Sequence, residues 1–209
     1  MSRVKSIRQL TDNTHLNFFE LEAENRKGKP FPYYVASRAA DVSELKMCQA
    51  QGKKDRPDGV VVFSLYGEKK DRVVLVRQYR YPIGGYIYEF PAGLVEAGED
   101  FHEAGIREMR EETGLAFTPL HTDEMYEKPF YTTVGMTDEC CSMIYGYAEG
   151  VVSSRGLEET EELEVVLADR SEVRRILKEE RVALMCAYML MQFLHSNEDP
   201  FSFLHQMGK

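Results

Sequence analysis

The chain contains no tryptophan and only four cysteines among its 209 residues. Those cysteines, Cys48, Cys140, Cys141 and Cys186, form no C-x-x-C pair and no regularly spaced Cys/His set of the kind that binds zinc. We therefore expect reduced thiols. The polar N-terminal stretch, MSRVKSIRQLTDNTHLN, lacks the apolar core of a secretory signal, so a cytoplasmic location is expected.

Long apolar runs and excess positive charge are also missing. The longest apolar stretch, Val182–Met191, is too short to span a bilayer and predicts a buried helix in the core or in a dimer interface. A net charge of −9 argues against non-specific nucleic-acid binding. The chain has no G-x-S-x-G elbow and no G-x-G-x-x-G loop, which argues against an esterase and against a dinucleotide cofactor.

What the chain does have is a dense motif, GLVEAGEDFHEAGIREMREETGL, from Gly93 to Leu115. Its spacing predicts a helix from about Phe101 to Thr113. Because positions three and four apart share one helical face, Glu108, Glu111 and Glu112 should converge. Asp100 and Glu103 resemble a capping box at the start, and Gly114 is a left-handed stop. Three residues lie away from the carboxylates and are expected to pack against a sheet: Ile106, Met109 and Thr113.

Three carboxylates on one face repel one another unless a cation lies among them, and Mg²⁺ prefers such oxygen ligands. The alternative is a solvated face whose charges are balanced by Arg107 and Arg110. The preceding loop, with Pro91, Gly93 and Gly98, favours an ion site because glycine lets the backbone approach closely. Glu99 is placed to pair with Arg107 and to hold this loop on the helix.

The motif resembles the signature box of the Nudix hydrolases. The matching positions are Gly93, Glu99, Arg107, Glu108, Met109, Glu111, Glu112, Gly114 and Leu115. The resemblance implies an α/β/α sandwich with a mixed sheet, and cleavage of a nucleoside-linked diphosphate that depends on Mg²⁺, with Mn²⁺ as a possible substitute. It also implies metal ligands at Glu108, Glu111 and Glu112 with the backbone carbonyl of Ala92, and structural roles for Gly93, Glu99, Arg107 and Gly114.

Turn residues and strand patterns divide the chain into two predicted parts. Residues 1–57 form an N-terminal β extension with strands near 16–22 and 33–39, and residues 58–209 form the catalytic domain. Further strands are predicted at 60–66, 72–79, 86–90, 124–133, 141–149 and 163–168. Helices are predicted from a Ser171 cap through Leu177 and from about Glu180 to Leu194.

The segments Arg77–Arg80 and Glu89–Gly93 resemble those of ADP-ribose pyrophosphatases and related nucleoside-diphosphate-sugar hydrolases. In that group the N-terminal extension is commonly exchanged across a homodimer. The resemblance implies substrate contacts from Arg80, Glu89 and Arg38, with Tyr33 or Tyr34 stacked on the base. The residue-level alternative is that both tyrosines are ordinary strand residues and that Arg38 is an ordinary surface residue.

The acidic segment 156–163 resembles the loop that carries the catalytic base in the ADP-ribose enzymes, and this resemblance implies Glu161 as the base, acting with Glu111 and Glu112 of the helix. Glu159 and Glu162 remain open, as does a merely solvated acidic loop. Val134 stands where many ADP-ribose enzymes have proline. A UDP-sugar or dinucleoside polyphosphate is therefore an alternative substrate. A non-catalytic nucleotide sensor is disfavoured because all three box carboxylates are present.

Overall fold

The computed structural model describes residues 3–49, 55–157, 162–196 and 199–205. The chain divides into two compact units. The first comprises Met1–Asp58 and Pro129–Cys141, and the second comprises Gly59–Lys128 and Ser142–Lys209. The predicted division between residues 57 and 58 stays a prediction, and the structure adds the segment Pro129–Cys141 to the N-terminal unit.

The first unit is built on an antiparallel sheet of strands β1 (Val4–Gln9), β2 (Asn17–Glu24) and β3 (Pro30–Ser37), in that spatial order. The strands predicted near 16–22 and 33–39 correspond to β2 and β3, whereas β1 was not predicted. Alternate residues of β2 are buried, as expected for a sheet with one face on a core. Phe19 of that face packs with Leu45, which lies between two short 3₁₀ turns.

The second unit contains a mixed sheet. Its strands are β4 (Gly59–Tyr66), β5 (Arg72–Arg80), β6 (Gly85–Glu89), β7 (Ala92–Leu94), β8 (Ala116–Pro119), β10 (Cys140–Glu149) and β11 (Leu163–Ala168). The central strand order is β11-β5-β4-β10-β8, with β6 paired to β5 and β7 paired to β4. Strand β10 starts in the first unit, where Cys140 and Cys141 pair with β9 (Phe130–Tyr131). The short strands β7 and β8 were not predicted.

Strand β4 is buried along nearly its whole length because both faces of the sheet are covered. On one face, Val60 and Val62 pack with Met109 of helix α1 (Phe101–Thr113). On the other face, Phe63 lies edge-on to Phe201, with ring centroids 5.7 Å apart. This two-sided burial explains the continuous apolar run of β4.

The remaining helices are α2 (Glu124–Glu127), α3 (Arg170–Glu179), α4 (Leu184–His195) and α5 (Ser202–His205). The prediction of one strand over residues 124–133 is wrong in its first half, because the Asp123 side chain accepts from Met125 N and caps a helical turn. Helix α3 is capped by Asp169 and not by Ser171. Helix α4 begins later than predicted, because Arg181 and Ala183 form backbone hydrogen bonds with Tyr88.

Helix α4 is the predicted apolar helix, and it is buried on one side only. Cys186, Leu190 and Phe193 are buried, whereas Leu184 and Tyr188 are largely exposed. No helix in the described ranges is both long and apolar enough to cross a membrane.

Candidate active site

Helix α1 carries the motif and has the predicted bounds. Asp100 caps its start by accepting a hydrogen bond from the amide of His102, and Gly114 ends it in the left-handed conformation at φ 74°. Glu112 is only 3% exposed. Glu108 is mostly buried, and the Glu111 side chain is 47% exposed. The three carboxylates thus run from the buried side of the helix to its rim.

The prediction that Ile106 packs against the sheet is wrong, since this side chain is 40% exposed. Met109 and Thr113 are buried as predicted. The helix contacts the sheet through Gly105, where an added Cβ would lie 2.2 Å from Ile144 Cδ1. This close approach centres the buried stripe on Gly105, Met109 and Glu112, and it leaves Ile106 at the edge of the stripe.

Arg107 is the centre of the polar network. Its guanidinium forms a bidentate pair with Glu99, at 3.0 and 3.1 Å, so the predicted contact between the loop and the helix is present. Nη1 also contacts Glu108 at 2.7 Å and Glu111 at 3.0 Å, and Nη2 donates to the Leu94 carbonyl. These hydrogen bonds lower the pKa of Glu99 and raise that of Arg107, with Glu99 as the main cause of the second shift.

The loop that precedes the helix fits closely around two of the carboxylates. A Cβ built on Gly93 would lie 1.9 Å from the Glu108 carboxyl group, so only glycine leaves this carboxylate its position. The amide of Ala92 donates to Glu112 Oε2 at 3.2 Å. Strand β7, which holds both backbone positions, is fixed by pairing with β4.

The donor set fits a divalent cation in its chemistry. Carboxylate oxygens are the ligands that Mg²⁺ prefers, and the absence of a side chain at Gly93 lets the Glu108 carboxyl group lie directly against the backbone of β7. In the described part of the chain, no three acidic, histidine or cysteine side chains are grouped closely enough to ligate an ion. Here Arg107 supplies the positive charge to Glu108 and Glu111. The Ala92 carbonyl stays a predicted ligand.

Two of the predicted substrate residues are paired with each other. Arg80 at the end of β5 donates from Nε to Glu89 Oε2 at 2.6 Å, across the β5–β6 pairing. The Arg80 side chain remains about half exposed. The structure therefore brings together two residues to which the family resemblance gives the same substrate, and their binding roles stay predictions.

The other predicted substrate residues lie in the first unit. Arg38 donates from Nε and Nη2 to Glu139 Oε1, at 3.3 and 3.2 Å. The Tyr33 hydroxyl donates to the Gly135 carbonyl at 2.8 Å. The Tyr34 ring is stacked parallel to Phe18 with centroids 5.8 Å apart. Each of the three thus has a contact within its own unit, and none of these contacts tests substrate binding.

The predicted base, Glu161, lies outside the described residues, as does the alternative Glu159. The second alternative, Glu162, accepts a hydrogen bond from the Tyr86 hydroxyl, and this bond raises the pKa of Tyr86. The Arg77 guanidinium lies 4.2 Å from the Tyr86 ring centroid. Tyr86 was not predicted as a site residue, although a tyrosine directly after the Gly84-Gly85 pair was a visible signal.

A cleft on the outer face of α1 was also not predicted. It has a volume of about 740 Å³ and is lined on the helix by Ile106, Arg107, Arg110 and Glu111. Arg155, from the segment after β10, lines the opposite side. The helical spacing of residues 106, 107, 110 and 111 was available in the sequence, but the approach of residue 155 was not.

Comparison with known proteins identifies the class to which this fold and motif belong. The model of the NUDIX domain matches residues 55–185, which include helix α1 and most of the second unit. The chain therefore belongs to the Nudix hydrolase family, and it is an enzyme of that family. The predicted α/β fold of the Nudix type is confirmed. The family generally uses a divalent metal.

Three named proteins from other organisms are similar in sequence to this chain. A putative nudix hydrolase 2 of Caenorhabditis elegans is 34% identical over 54% of this chain, and the match spans only 52% of that protein's length. A methanol dehydrogenase activator of Bacillus methanolicus is 31% identical over 68% of this chain and 74% of its own. An ADP-ribose pyrophosphatase of Bacillus subtilis is 29% identical over the same shares, 68% and 74%.

A solved structure supports the fold. The crystal structure of an ADP compounds hydrolase superimposes with a TM-score of 0.54 over 84% of this chain and 82% of that one. Sequence identity in this superposition is 19%, so the likeness concerns the fold alone.

Proposed function

We propose that this enzyme hydrolyses the diphosphate bond of ADP-ribose, or of a related nucleoside-diphosphate sugar, in a reaction that depends on Mg²⁺. The products are a nucleoside monophosphate and a sugar phosphate. The names of the Bacillus subtilis relative and of a mouse ADP-sugar pyrophosphatase, which is 55% identical over 42 residues, support this class of substrate.

The observation that carries the proposal is the close fit of Glu108 against Gly93 beside Glu112. The Glu108 carboxylate lies against the backbone at Gly93, where there is no side chain. At the neighbouring residue, the buried Glu112 carboxylate accepts a hydrogen bond from the Ala92 amide. Burying a carboxylate costs free energy unless a positive charge or hydrogen bonds offset the loss of solvation. Carboxylates that are buried despite this cost are typical of functional sites.

Glu108, Glu111, Glu112 and the Ala92 carbonyl would hold the ion. Bound there, Mg²⁺ would offset negative charge on the diphosphate oxygens. Arg107 and Glu99 hold the loop on the helix. Gly93 allows the close approach of Glu108, and Gly114 ends the helix in the left-handed conformation. Mn²⁺ offers the same oxygen preference and could substitute.

The chain's own residues would bind the substrate and move the proton. Arg80 would exchange its contact with Glu89 for a phosphate oxygen, which a guanidinium binds through two parallel donors. Glu161 would take a proton from the attacking water, whose oxygen bonds to phosphorus as the bond to the bridging oxygen breaks. Arg38, Tyr33 and Tyr34 would contact the nucleotide from the N-terminal part of a homodimer.

A cytoplasmic location belongs to the same proposal. All four cysteines are free thiols, in agreement with a reducing compartment.

The substrate is tested with a panel of ADP-ribose, UDP-glucose, a dinucleoside polyphosphate and NADH, each with Mg²⁺ and with EDTA. We expect the highest kcat/KM for ADP-ribose or another nucleotide sugar, and no monophosphate release in EDTA. Cleavage of dinucleoside polyphosphates alone would refute the assignment.

The site is tested with Glu112→Gln, which keeps an oxygen to accept from the Ala92 amide and should therefore fold. We expect kcat to fall at least about 100-fold, because one ligand charge is lost. Glu111→Gln provides an exposed second variant. Glu149→Gln, at the exposed end of β10, is the matched control and should retain activity. Undiminished turnover in both box variants would contradict the proposed roles.

A further inference from the structure

The cleft on the outer face of α1 has the size of a small-molecule site. Its volume of about 740 Å³ lies within the range of roughly 300–1,000 Å³ typical of ligand pockets. It shares Glu111 and Arg107 with the box, so it opens directly beside the proposed ion site. A ligand in this cleft could therefore extend to the reacting phosphorus.

Close backbone contacts fix the opposite side of the cleft. Ser153 N donates to the Thr113 carbonyl at 2.9 Å. A Cβ on Gly114 would lie 2.7 Å from Ser153 Cβ, and a Cβ on Gly156 would lie 2.6 Å from the Glu111 carbonyl oxygen. Both ends of the segment 153–156 are thus packed against the C-terminal turn of α1, and Arg155 lies between these two contacts.

Arg110 and Arg155 are the cations available to a ligand. Arg107 is committed to Glu99, Glu108 and Glu111. Arg110 and Arg155 are exposed, and neither has an ion pair with any residue that the structure describes. Two guanidinium groups beside one cleft suit a phosphate oxyanion, which they bind through forked donors.

The walls favour a sugar over a nucleobase. The described lining of the cleft includes no aromatic side chain that could stack on a base. Ile106 offers an exposed apolar surface and Ser153 a hydroxyl, which together suit the mixed character of a sugar ring.

We propose that this cleft binds the sugar-phosphate half of the substrate, with Arg110 and Arg155 on its phosphate. The inference rests on the proposed function and assigns one half of that substrate to a position. The phosphate that leaves with the sugar would lie between the two arginines and Glu111, and the nucleoside phosphate would lie toward Arg80.

The test measures binding of ribose 5-phosphate to the full-length protein by calorimetry in EDTA, where no metal contributes. We expect saturable binding that is weakened at least about tenfold in Arg110→Gln/Arg155→Gln, because two charge-assisted contacts are lost. The charge-matched control is Arg26→Gln/Arg174→Gln, outside the cleft, which should bind like the wild type. Arg110→Lys/Arg155→Lys should retain part of the affinity, and neutral ribose should bind weakly or not at all.

Two outcomes would overturn the inference. One is an affinity for ribose 5-phosphate that is unmeasurable in the wild type or unchanged in the double glutamine variant. The other is AMP binding that equals or exceeds that of ribose 5-phosphate with the same arginine dependence, which would assign the cleft to the nucleotide half. Either result leaves ADP-ribose hydrolysis, measured separately on the wild type, as the test of the proposed function itself.

Discussion

The carboxyl group of Glu108 occupies the place where a side chain on residue 93 would begin, since a Cβ on Gly93 would lie 1.9 Å from Glu108 Cδ. Gly93→Ala should therefore displace this carboxylate. Because the end of the Glu108 side chain is flexible and can rotate away from the added Cβ, the free energy of unfolding should change by less than about 1 kcal/mol. A misplacement of about 1 Å should nevertheless lower kcat about 100-fold.

The control for this variant is Gly135→Ala, because a Cβ on Gly135 would meet no atom within 4 Å. Thermal unfolding and steady-state kinetics on both proteins separate the two effects. Wild-type turnover in Gly93→Ala would show that the position of Glu108 is not needed for the reaction.

The pair between Glu99 and Arg107 predicts a dependence of stability on pH. Arg107 lowers the pKa of Glu99 in the folded state, so the stabilisation is fully present above the ordinary glutamate pKa of about 4.3. It is lost as the pH falls through the lower, folded-state pKa. Glu99→Gln should cost about 1–2 kcal/mol of unfolding free energy at neutral pH and progressively less in acid.

Urea unfolding at several pH values measures this difference. Glu179→Gln is the matched control, since Glu179 is exposed and its contact with Arg175 is long, at 3.9 Å. A cost of Glu99→Gln that stays constant down to about pH 2 would exclude the linkage.

The contact between Gly105 and Ile144 predicts a compensating pair of substitutions. Gly105→Ala would place a Cβ 2.2 Å from Ile144 Cδ1 and should destabilise the protein by about 1–2 kcal/mol, despite the higher helix propensity of alanine. Ile144→Val removes Cδ1. The double variant should be more stable than the sum of the two single effects, because the clash is gone.

A double-mutant cycle from denaturant unfolding gives the coupling energy. If the two changes in unfolding free energy are strictly additive, α1 has moved away from β10 and the stability of the protein does not depend on this contact.

The four thiols should differ in reactivity. Cys48 is exposed, whereas Cys140 and Cys186 are buried. Burial raises the pKa of Cys141 to about 12, and it also raises the pKa values of Cys140 and Cys186. Since the thiolate is the reactive form, iodoacetamide at about pH 8 should alkylate Cys48 first in the native protein.

Peptide mapping by mass spectrometry, with a denatured sample as the reference for full reactivity, measures each site. Equal modification of Cys48 and Cys186 under native conditions would contradict the burial of Cys186 in α4.

Local features account for what could be predicted from the sequence. The ends of α1 are set by Asp100 and Gly114, which act on their own helix, and β4 and β5 have strong apolar patterns. Strands β7 and β8 are too short for a periodic signal. Ile106 was assigned to the wrong face because the helix rotation depends on Gly105 meeting Ile144, a contact between distant parts of the chain.

In the candidate site, too, only contacts between residues close in sequence could be predicted. The pairing of Glu99 with Arg107 could be predicted because it spans eight residues, whereas the contact between Arg38 and Glu139 joins residues 101 positions apart. No periodicity encodes such a meeting, and none indicates that Arg155 would line the cleft opposite Arg110.

Arg107 also gives this protein a built-in counter-ion. Since one guanidinium already pairs with Glu99, Glu108 and Glu111 and offsets part of their charge, the acidic helix can complete its folding before any metal arrives. If the reaction depends on Mg²⁺ as proposed, chelation would stop turnover and leave the fold intact, and a returning ion would have to compete with Arg107 for Glu108 and Glu111.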